Sequence, residues 1–254
     1  MNIPINDILE QMKPITLEEM KHIRLMDRVD SKFVAPVSIL PQLLELLRPD
    51  FKIQIIEDKL FAAYTTQYMD TPELDFFLMH QNGKLNRQKI RIRSYVDSNL
   101  SFLEIKNKNN KGRTQKIRVP VAQTHIERVD ELAEEQDFLH THALFELKNL
   151  EPVLSNTFNR ITLVNNNATE RITIDWNLTF QNLLTGKEES PEKLMVLELK
   201  QDGRTASKFR EIVNHLHIKQ SSFSKYCMGT VLTNPDIKQN RFKAKWSIIN
   251  KITQ

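Results

Sequence analysis

One cysteine and five glycines in 254 residues, with aromatics at 7%, close off several possibilities at once. Cys227 alone can form neither an intramolecular disulfide nor a cysteine-based zinc site, which fits a reducing compartment. The glycines and the ten prolines are scattered, so no linker or low-complexity stretch marks a boundary, and the chain reads as a single domain. No apolar run approaches the roughly 20 residues that a membrane-crossing helix needs. The opening MNIPINDILE has no basic region leading into an apolar stretch, so no secretory signal is read there and a cytoplasmic location is expected. Nor is charge of one sign in large excess. A balance of 36 basic against 32 acidic residues leaves +4, too mild for a general nucleic-acid binder, and no nucleic-acid partner is expected. The seven histidines, His140 and His142 among them, show no metal-ligand spacing. What the chain does have is 40% hydrophobic residues, enough for a packed core, and an uneven placement of its cations.

Helical spacing from Pro14 to Met26 predicts a helix with Thr16 as N-cap and Glu18 and Glu19 in its first turn. A second helix is predicted from Pro36 to Leu47. Thr71-Pro72 reads as the cap and first position of a third, which Asn82-Gly83 stops. Strands are predicted over Arg28 to Val34, Phe61 to Met69, Lys89 to Val96 and Leu100 to Lys106, the last two joined by the polar turn Asp97-Ser98-Asn99. Gln115 to Val121 reads as a further strand after a turn at Gly112, and Glu127 to Leu150 as more helical. Strand patterns return at Arg160 to Val164, Arg171 to Asp175 and Lys193 to Lys200, before closing helices over Ser207 to His215 and Phe223 to Leu232. Strands bounded by helices at both ends predict an α+β fold.

In Lys89-Ile90-Arg91-Ile92-Arg93 cations and aliphatics alternate, so on a strand the three cations share one face and the isoleucines the other. Like charges stacked this closely repel unless water or an anion separates them. Leu103-Glu104-Ile105-Lys106 and Leu197-Glu198-Leu199-Lys200 repeat a second pattern, a carboxylate and an ammonium two apart with aliphatics opposite. One such tetrapeptide is ordinarily an exposed ion-paired face. With Lys116, Arg118 and Arg171 on comparable strands, the polar face of the whole sheet holds more cations than its carboxylates neutralise. Two arrangements answer that excess: a wet surface, or a sheet curled into a barrel whose cavity demands an anion of high charge density such as phosphate. A glutamate in a basic, phosphate-filled cavity is the expected ligand of a divalent metal bridging phosphate oxygens. Asp175, on the face of Arg171, reads equally as a second metal ligand or as an ion-pair partner.

The segments Arg28 to Phe33, Tyr64 to Pro72, Asn86 to Tyr95, Leu103 to Lys106, Asn159-Arg160, Leu197 to Lys200 and Phe223 to Tyr226 together resemble, in order and spacing, the VTC-type polyphosphate polymerase domain. That family belongs to the triphosphate tunnel metalloenzymes, or CYTH-like superfamily. The resemblance implies a closed antiparallel β-barrel of about eight strands forming a triphosphate tunnel, with flanking helices at both ends. It covers a core from about residue 20 to 232 and leaves a basic tail over 233–254. By the same resemblance Lys32, Arg91, Arg93, Lys106, Lys116, Arg160, Lys200 and Lys225 contact the triphosphate or growing chain as catalytic residues. Lys89, Arg118, Ser224 and Tyr226 bind substrate, and Glu198 with Glu104 holds Mn²⁺ or Mg²⁺. The implied reaction transfers the γ-phosphoryl group of ATP to inorganic polyphosphate, with hydrolysis of triphosphates or non-catalytic polyphosphate binding as the alternatives. The Glu-x-Glu-x-Lys signature of hydrolytic tunnel enzymes is missing at Arg28 to Lys32, where Asp30 stands instead, and this tilts the expectation toward synthesis. Eukaryotic relatives carry a sensing domain and membrane helices around this one, so a separate membrane protein is a candidate partner, placing the chain at the inner face of a membrane. The tail, with Lys238, Arg241, Lys243 and Lys245 around Phe242 and Trp246, is expected to dock on the domain or fray as a terminus, with contact to an anionic membrane or a partner protein as the alternative.

Overall fold

Residues 5–23, 28–111, 113–203 and 206–253 are described by the computed structural model. The strands in chain order are β1 (Lys13–Thr16), β2 (Arg28–Pro36), β3 (Phe51–Ile55), β4 (Ala62–Asp70), β5 (Arg87–Tyr95), β6 (Leu100–Lys108), β7 (Thr114–Val121), β8 (Glu151–Asn165), β9 (Glu170–Asn182), β10 (Glu188–Glu189) and β11 (Leu194–Asp202). The helices are α1 (Asn6–Glu10), α2 (Leu17–Lys21), α3 (Leu40–Leu47), α4 (Asp75–Gln81), α5 (Gln136–His142), α6 (Lys208–His215), α7 (Lys225–Thr233) and α8 (Lys243–Thr253). None is long and apolar enough to cross a membrane among the described residues.

Eight strands form one antiparallel path, β2-β11-β9-β8-β4-β5-β6-β7. The expected hydrogen-bonded closure is absent, because no ladder joins β7 to β2 among the described residues. The free edge of β7 is mostly exposed and carries Lys116, Arg118 and Pro120, which blunts further pairing.

Period-2 alternation places apolar side chains outside, where two helical layers cover them. Beneath α3 and α6 lie Phe33, Leu197, Leu199, Ile172 and Ile174, in one buried cluster with Leu43, Leu47, Phe209 and Val213. On β5 and β6, Ile90, Ile92, Leu103 and Ile105 are fully buried in a cluster with Ile126, Leu132 and Leu139. Polar staples hold that cover down. The Gln67 amide exchanges hydrogen bonds with the Ile126 backbone (2.7 and 3.0 Å), and the Gln88 amide reaches His142 O and Leu144 N (2.8 and 2.9 Å).

Helix α7 is buried on nearly all sides, as an inserted helix must be. Gly229 makes the insertion geometrically feasible: a Cβ there would stand 2.5 Å from Phe180 Cδ1 and 2.8 Å from Leu154 Cδ2. Residues 240–253 also pack down, with Phe242 and Ile249 buried, so the tail docks.

Several expectations need correction. The helix predicted from Pro14 to Met26 is strand β1 followed by the short α2, because β1 pairs in parallel with the distant β3; the Thr16 cap does form, as a capping box with Glu19. Residues 24–27 and Gly112 lie outside the described residues. The cap of α4 comes chiefly from Asp70, whose carboxylate accepts from Phe76 N (2.8 Å) and Phe77 N (3.0 Å), while Thr71 Oγ1 accepts from Asp75 N (3.0 Å). The stretch Glu127 to Leu150 holds only α5 and single 3₁₀ turns.

Candidate functional site

Residues directly opposite on antiparallel strands share a face, so the register shows which side chains line the inner surface. Lys89, Arg91 and Arg93 of β5 oppose Lys106, Glu104 and Phe102 of β6, and Lys106 and Glu104 oppose Lys116 and Arg118 of β7. At the other end of the path Lys32 opposes Glu198, Glu198 opposes Thr173, and Lys200 opposes Arg171. In between, Arg160 opposes Asp175, and Tyr68 and Thr66 oppose Arg91 and Arg93. The sheet curls enough to bring its ends together. Lys32 and Glu198, on the first two strands of the path, both act on the charge of Lys106 on the seventh.

The start of α7 is wired into this face from three strands. Lys32 Nζ donates to Phe223 O (3.1 Å), Lys89 Nζ donates to Ser224 Oγ (2.7 Å), and Lys225 Nζ donates to the Asp175 carboxylate. Ser224 Oγ also caps the helix by accepting from Cys227 N (3.3 Å).

Carboxylates on the inner face differ sharply in what holds them. Asp175 accepts from Arg160 Nε (2.6 Å) and Nη2 (2.8 Å) as well as from Lys225; burial opposes its charge, but these cations hold it well below the usual carboxylate range. Glu104 is buried, its Oε2 taken by Arg91 Nε (2.9 Å) and Nη2 (2.6 Å) and its Oε1 by Lys116 Nζ (2.6 Å). Burial works against its ionisation too, yet Arg91, Arg93 and Lys116 outweigh burial and bring its pKa to about 2. Glu198 is also brought to about 2, by Lys32, Lys200, Arg160 and Lys106 against burial. Unlike the other two, Glu198 makes no hydrogen bond or salt bridge among the described residues.

Several cations pay for the crowding in basicity. Loss of surrounding water and the neighbouring Lys32 draw Lys106 down to about 8, and burial with Arg160 draws Lys225 to about 8 despite Asp175. Burial, Arg91 and Arg160 lower Arg93 to about 10. Beneath the guanidinium groups lies an aromatic floor: Arg160 and Arg93 sit over Tyr64 at 4.9 and 5.7 Å, Arg91 over Tyr68 at 6.0 Å, and Arg118 over Phe102 at 4.3 Å. Thr66 Oγ1, Arg93 Nε, both amide atoms of Asn156 and Thr173 Oγ1 are buried without a hydrogen-bond partner. Their register places all four residues on this face, where a ligand's oxygens or water would satisfy them.

A family model matches residues 27–234, described as the VTC domain. The chain belongs to the VTC family. Membership supports a function on triphosphates or polyphosphates. No curated protein matches the sequence significantly. Among solved structures, the VTC domain is similar to HpAC1 from Hippeastrum, assigned as an adenylyl cyclase and described as having a dominant triphosphatase activity, with 13% identity over 83% of this chain and 97% of that one and a TM-score of 0.48. It is also similar to a protein assigned as an adenylate cyclase from Vibrio parahaemolyticus (13% identity, 81% and 99% covered, TM-score 0.46) and to the PH1819 protein of Pyrococcus horikoshii (16%, 79% and 95%, TM-score 0.43). At such distance the chemistry of the VTC domain is read from its own residues.

Of the expected site residues, Lys32, Lys89, Arg91, Arg93, Lys106, Lys116, Arg118, Arg160, Lys200, Lys225, Glu104 and Glu198 all lie on the inner face, and Ser224 borders it. The Tyr226 ring packs against Tyr68 of the floor (5.1 Å), but its hydroxyl donates to the buried Asp70 and not into the inner face. Glu104 has both oxygens committed to Arg91 and Lys116, so the structure gives it an ion-pairing position where a metal ligand was expected. Among the described residues no three acidic, histidine or cysteine side chains group around a cation position. Glu198 with the unpartnered Thr173 hydroxyl still fits an ion of the Mg²⁺ class, which takes one or two carboxylates and completes its shell with phosphate oxygens and water. Asp175, open from sequence between metal ligand and ion-pair partner, is an ion-pair partner, though of Arg160 and Lys225 and not Arg171; the Tyr64 and Tyr68 floor was not singled out, although Tyr64-x-Thr66-x-Tyr68 carries the same period of two.

Proposed function

We propose that this VTC domain is an ATP:polyphosphate phosphotransferase that works inside the curled sheet. The observation that supports this reading is the imbalance of the inner face. Its cations come from seven strands and α7, while among the described residues two of its buried carboxylates, Asp175 and Glu104, are already clamped and Glu198 stays open. In the reaction the bond between the γ-phosphorus and its bridge to the β-phosphate breaks, the electron pair leaves with ADP, and a terminal polyphosphate oxygen forms the new bond. That oxygen is already ionised, so no protein base is required, in keeping with a face rich in Arg and Lys. Arg91, Arg93 and Arg160 offer forked donors to the phosphoryl oxygens and Lys32, Lys106, Lys200 and Lys225 point charges between them, fixed in place before the reaction. A Mn²⁺ or Mg²⁺ ion held by Glu198 would supply charge neutralisation on the phosphate oxygens.

Incubation of the purified protein with ATP and Mn²⁺ tests the reading. Polymer with stoichiometric ADP supports it. Free phosphate without polymer supports the hydrolase reading, which the unpaired β7–β2 seam favours by giving water a side entrance. Binding without turnover identifies a non-catalytic module. The reading extends to a cytoplasmic protein that meets the membrane through a separate membrane protein, which co-purification from membranes would test.

A further inference from the structure

A further group of cations gathers where the docked tail meets the start of β5. The tail is held firmly there. The Gln81 amide oxygen, in the orientation that satisfies its neighbours, accepts from Asn240 N (3.2 Å) and Arg241 N (3.3 Å), and Phe242 packs on Phe77 (5.7 Å) and His80 (5.9 Å). The Arg241 guanidinium covers Gly83 so closely that a Cβ there would lie 2.5 Å from Nη1, and Lys245 stands over the Phe242 ring at 5.4 Å. Both cations are thereby fixed near Arg87, which continues the inward row of Lys89 and Arg91 by one position.

No salt bridge joins Arg87, Arg241 or Lys245 to another described residue. Their mutual influence shows in the groups themselves. Burial and then Arg241 lower Arg87, and Lys245 is lowered by burial and by Arg241, Arg87 and Lys89. His80, half-buried and surrounded by all four cations, is held neutral with a pKa of about 3. From Arg87 a groove of about 510 Å³ runs on, lined by the exposed Lys108 and Arg113 and otherwise by neutral side chains, with no acidic side chain in its wall. A cluster of like charges, locked in place and continuous with a basic cavity, is relieved when a polyanion threads between them.

We propose that Arg87, Arg241 and Lys245, with Lys108 and Arg113 along the groove, form a second polyanion site at one mouth of the curled sheet. It takes a linear polyphosphate chain that continues outward past Lys89. The inference rests on the inner face being the phosphate site, and it adds that long and short chains are held by different residues. The chain binds here through point contacts to its phosphates, so affinity falls steeply with salt.

The test compares tripolyphosphate with long-chain polyphosphate, both fluorescently labelled, on wild type and on the Arg241→Glu, Lys245→Glu double variant. Long-chain affinity is expected to drop at least about tenfold and its log–log salt slope to become shallower by about two, with tripolyphosphate affinity unchanged within about twofold. Lys108→Glu with Arg113→Glu, both on exposed side chains, should reproduce the selective loss without touching the packed tail. Unchanged long-chain affinity in both variants, or equal losses for both ligands, would overturn the second site. Wild type that binds tripolyphosphate but holds long chains no tighter also overturns it, while wild type that binds neither ligand overturns the inner-face reading itself.

Discussion

At the scale of single residues, three carboxylates on one face have three fates, set by what surrounds them. Glu104 is a structural counter-ion, 1% exposed between Arg91 at 18% and Lys116 at 42%. Removing one partner of a buried pair leaves uncompensated charge, so Glu104→Ala should destabilise by about 3 kcal/mol, the low end of the usual range because both cations keep some water. Added tripolyphosphate should restore part of the lost melting temperature, since an anion can replace the carboxylate. If the loss were small and the metal requirement changed instead, the metal-ligand expectation for Glu104 would return. Because its folded pKa is about 2 against an ordinary 4.5, its ionised form adds stability above pH 4.5 that disappears as pH falls toward 2. Glu198→Gln should keep the fold and cost about 10²-fold or more in metal-dependent turnover, measured across a Mn²⁺ titration. The lysines carry the opposite sign. Lys106 and Lys225 sit at about 8 instead of 10.5, so folding is penalised while they are charged, and the stability of the free protein should rise between pH 8 and 10.5. Anion binding needs their charged forms, so tripolyphosphate affinity should fall over the same interval, which calorimetry at successive pH values would detect.

Among the elements, α7 decides whether the inner face is assembled, since it alone brings Lys225 and Ser224 against β5 and β9. Gly229→Ala would press a methyl into Phe180 and Leu154, and overpacking of this kind costs about 1–3 kcal/mol. Thermal unfolding should show that loss, and turnover should fall with it as Lys225 moves. The inner strands were legible from sequence because one face had to be apolar and the other charged, which a period of two reveals at Lys89 to Arg93 and again at Leu197 to Lys200. Long-range pairings were not. Strand β8 was read only from Arg160 to Val164, because Ser155, Asn156, Thr157 and Asn159 blur the alternation and a register shift falls between Thr157 and Asn159. Strand β1 was read as helix, because its parallel partner β3 lies 39 positions on, Lys13 opposite Lys52. The clamp on Asp175 was open for the same reason: its lysine arrives from α7, fifty positions on.

For the whole molecule, the modest net charge of +4 conceals a separation, with the outer faces apolar under helices and the cations gathered inside. That arrangement trades stability for binding, so an anion of high charge density should stabilise the fold by RT ln(1 + [L]/Kd), about 2.7 kcal/mol at a hundredfold excess over Kd. The seam gives this a spatial signature. Strands β7 and β2 end the hydrogen-bonded path: among the described residues no ladder continues beyond β7, and the outer edge of β2 meets an isolated bridge of Phe33 to Gln220, with Ser221 N donating to Lys32 O (2.8 Å). Lys116 and Arg118 on one side of the seam and Lys32 on the other point to the same interior, so a polyphosphate held between them would draw the two edges together without any new ladder. Hydrogen exchange should therefore show β7 as the fastest-exchanging long strand in the free protein, and tripolyphosphate should slow β7 and β2 together. Slowing of β5 and β6 alone would mean that the ligand sits on one wall and leaves the seam open, which would move the balance toward hydrolysis by water entering there.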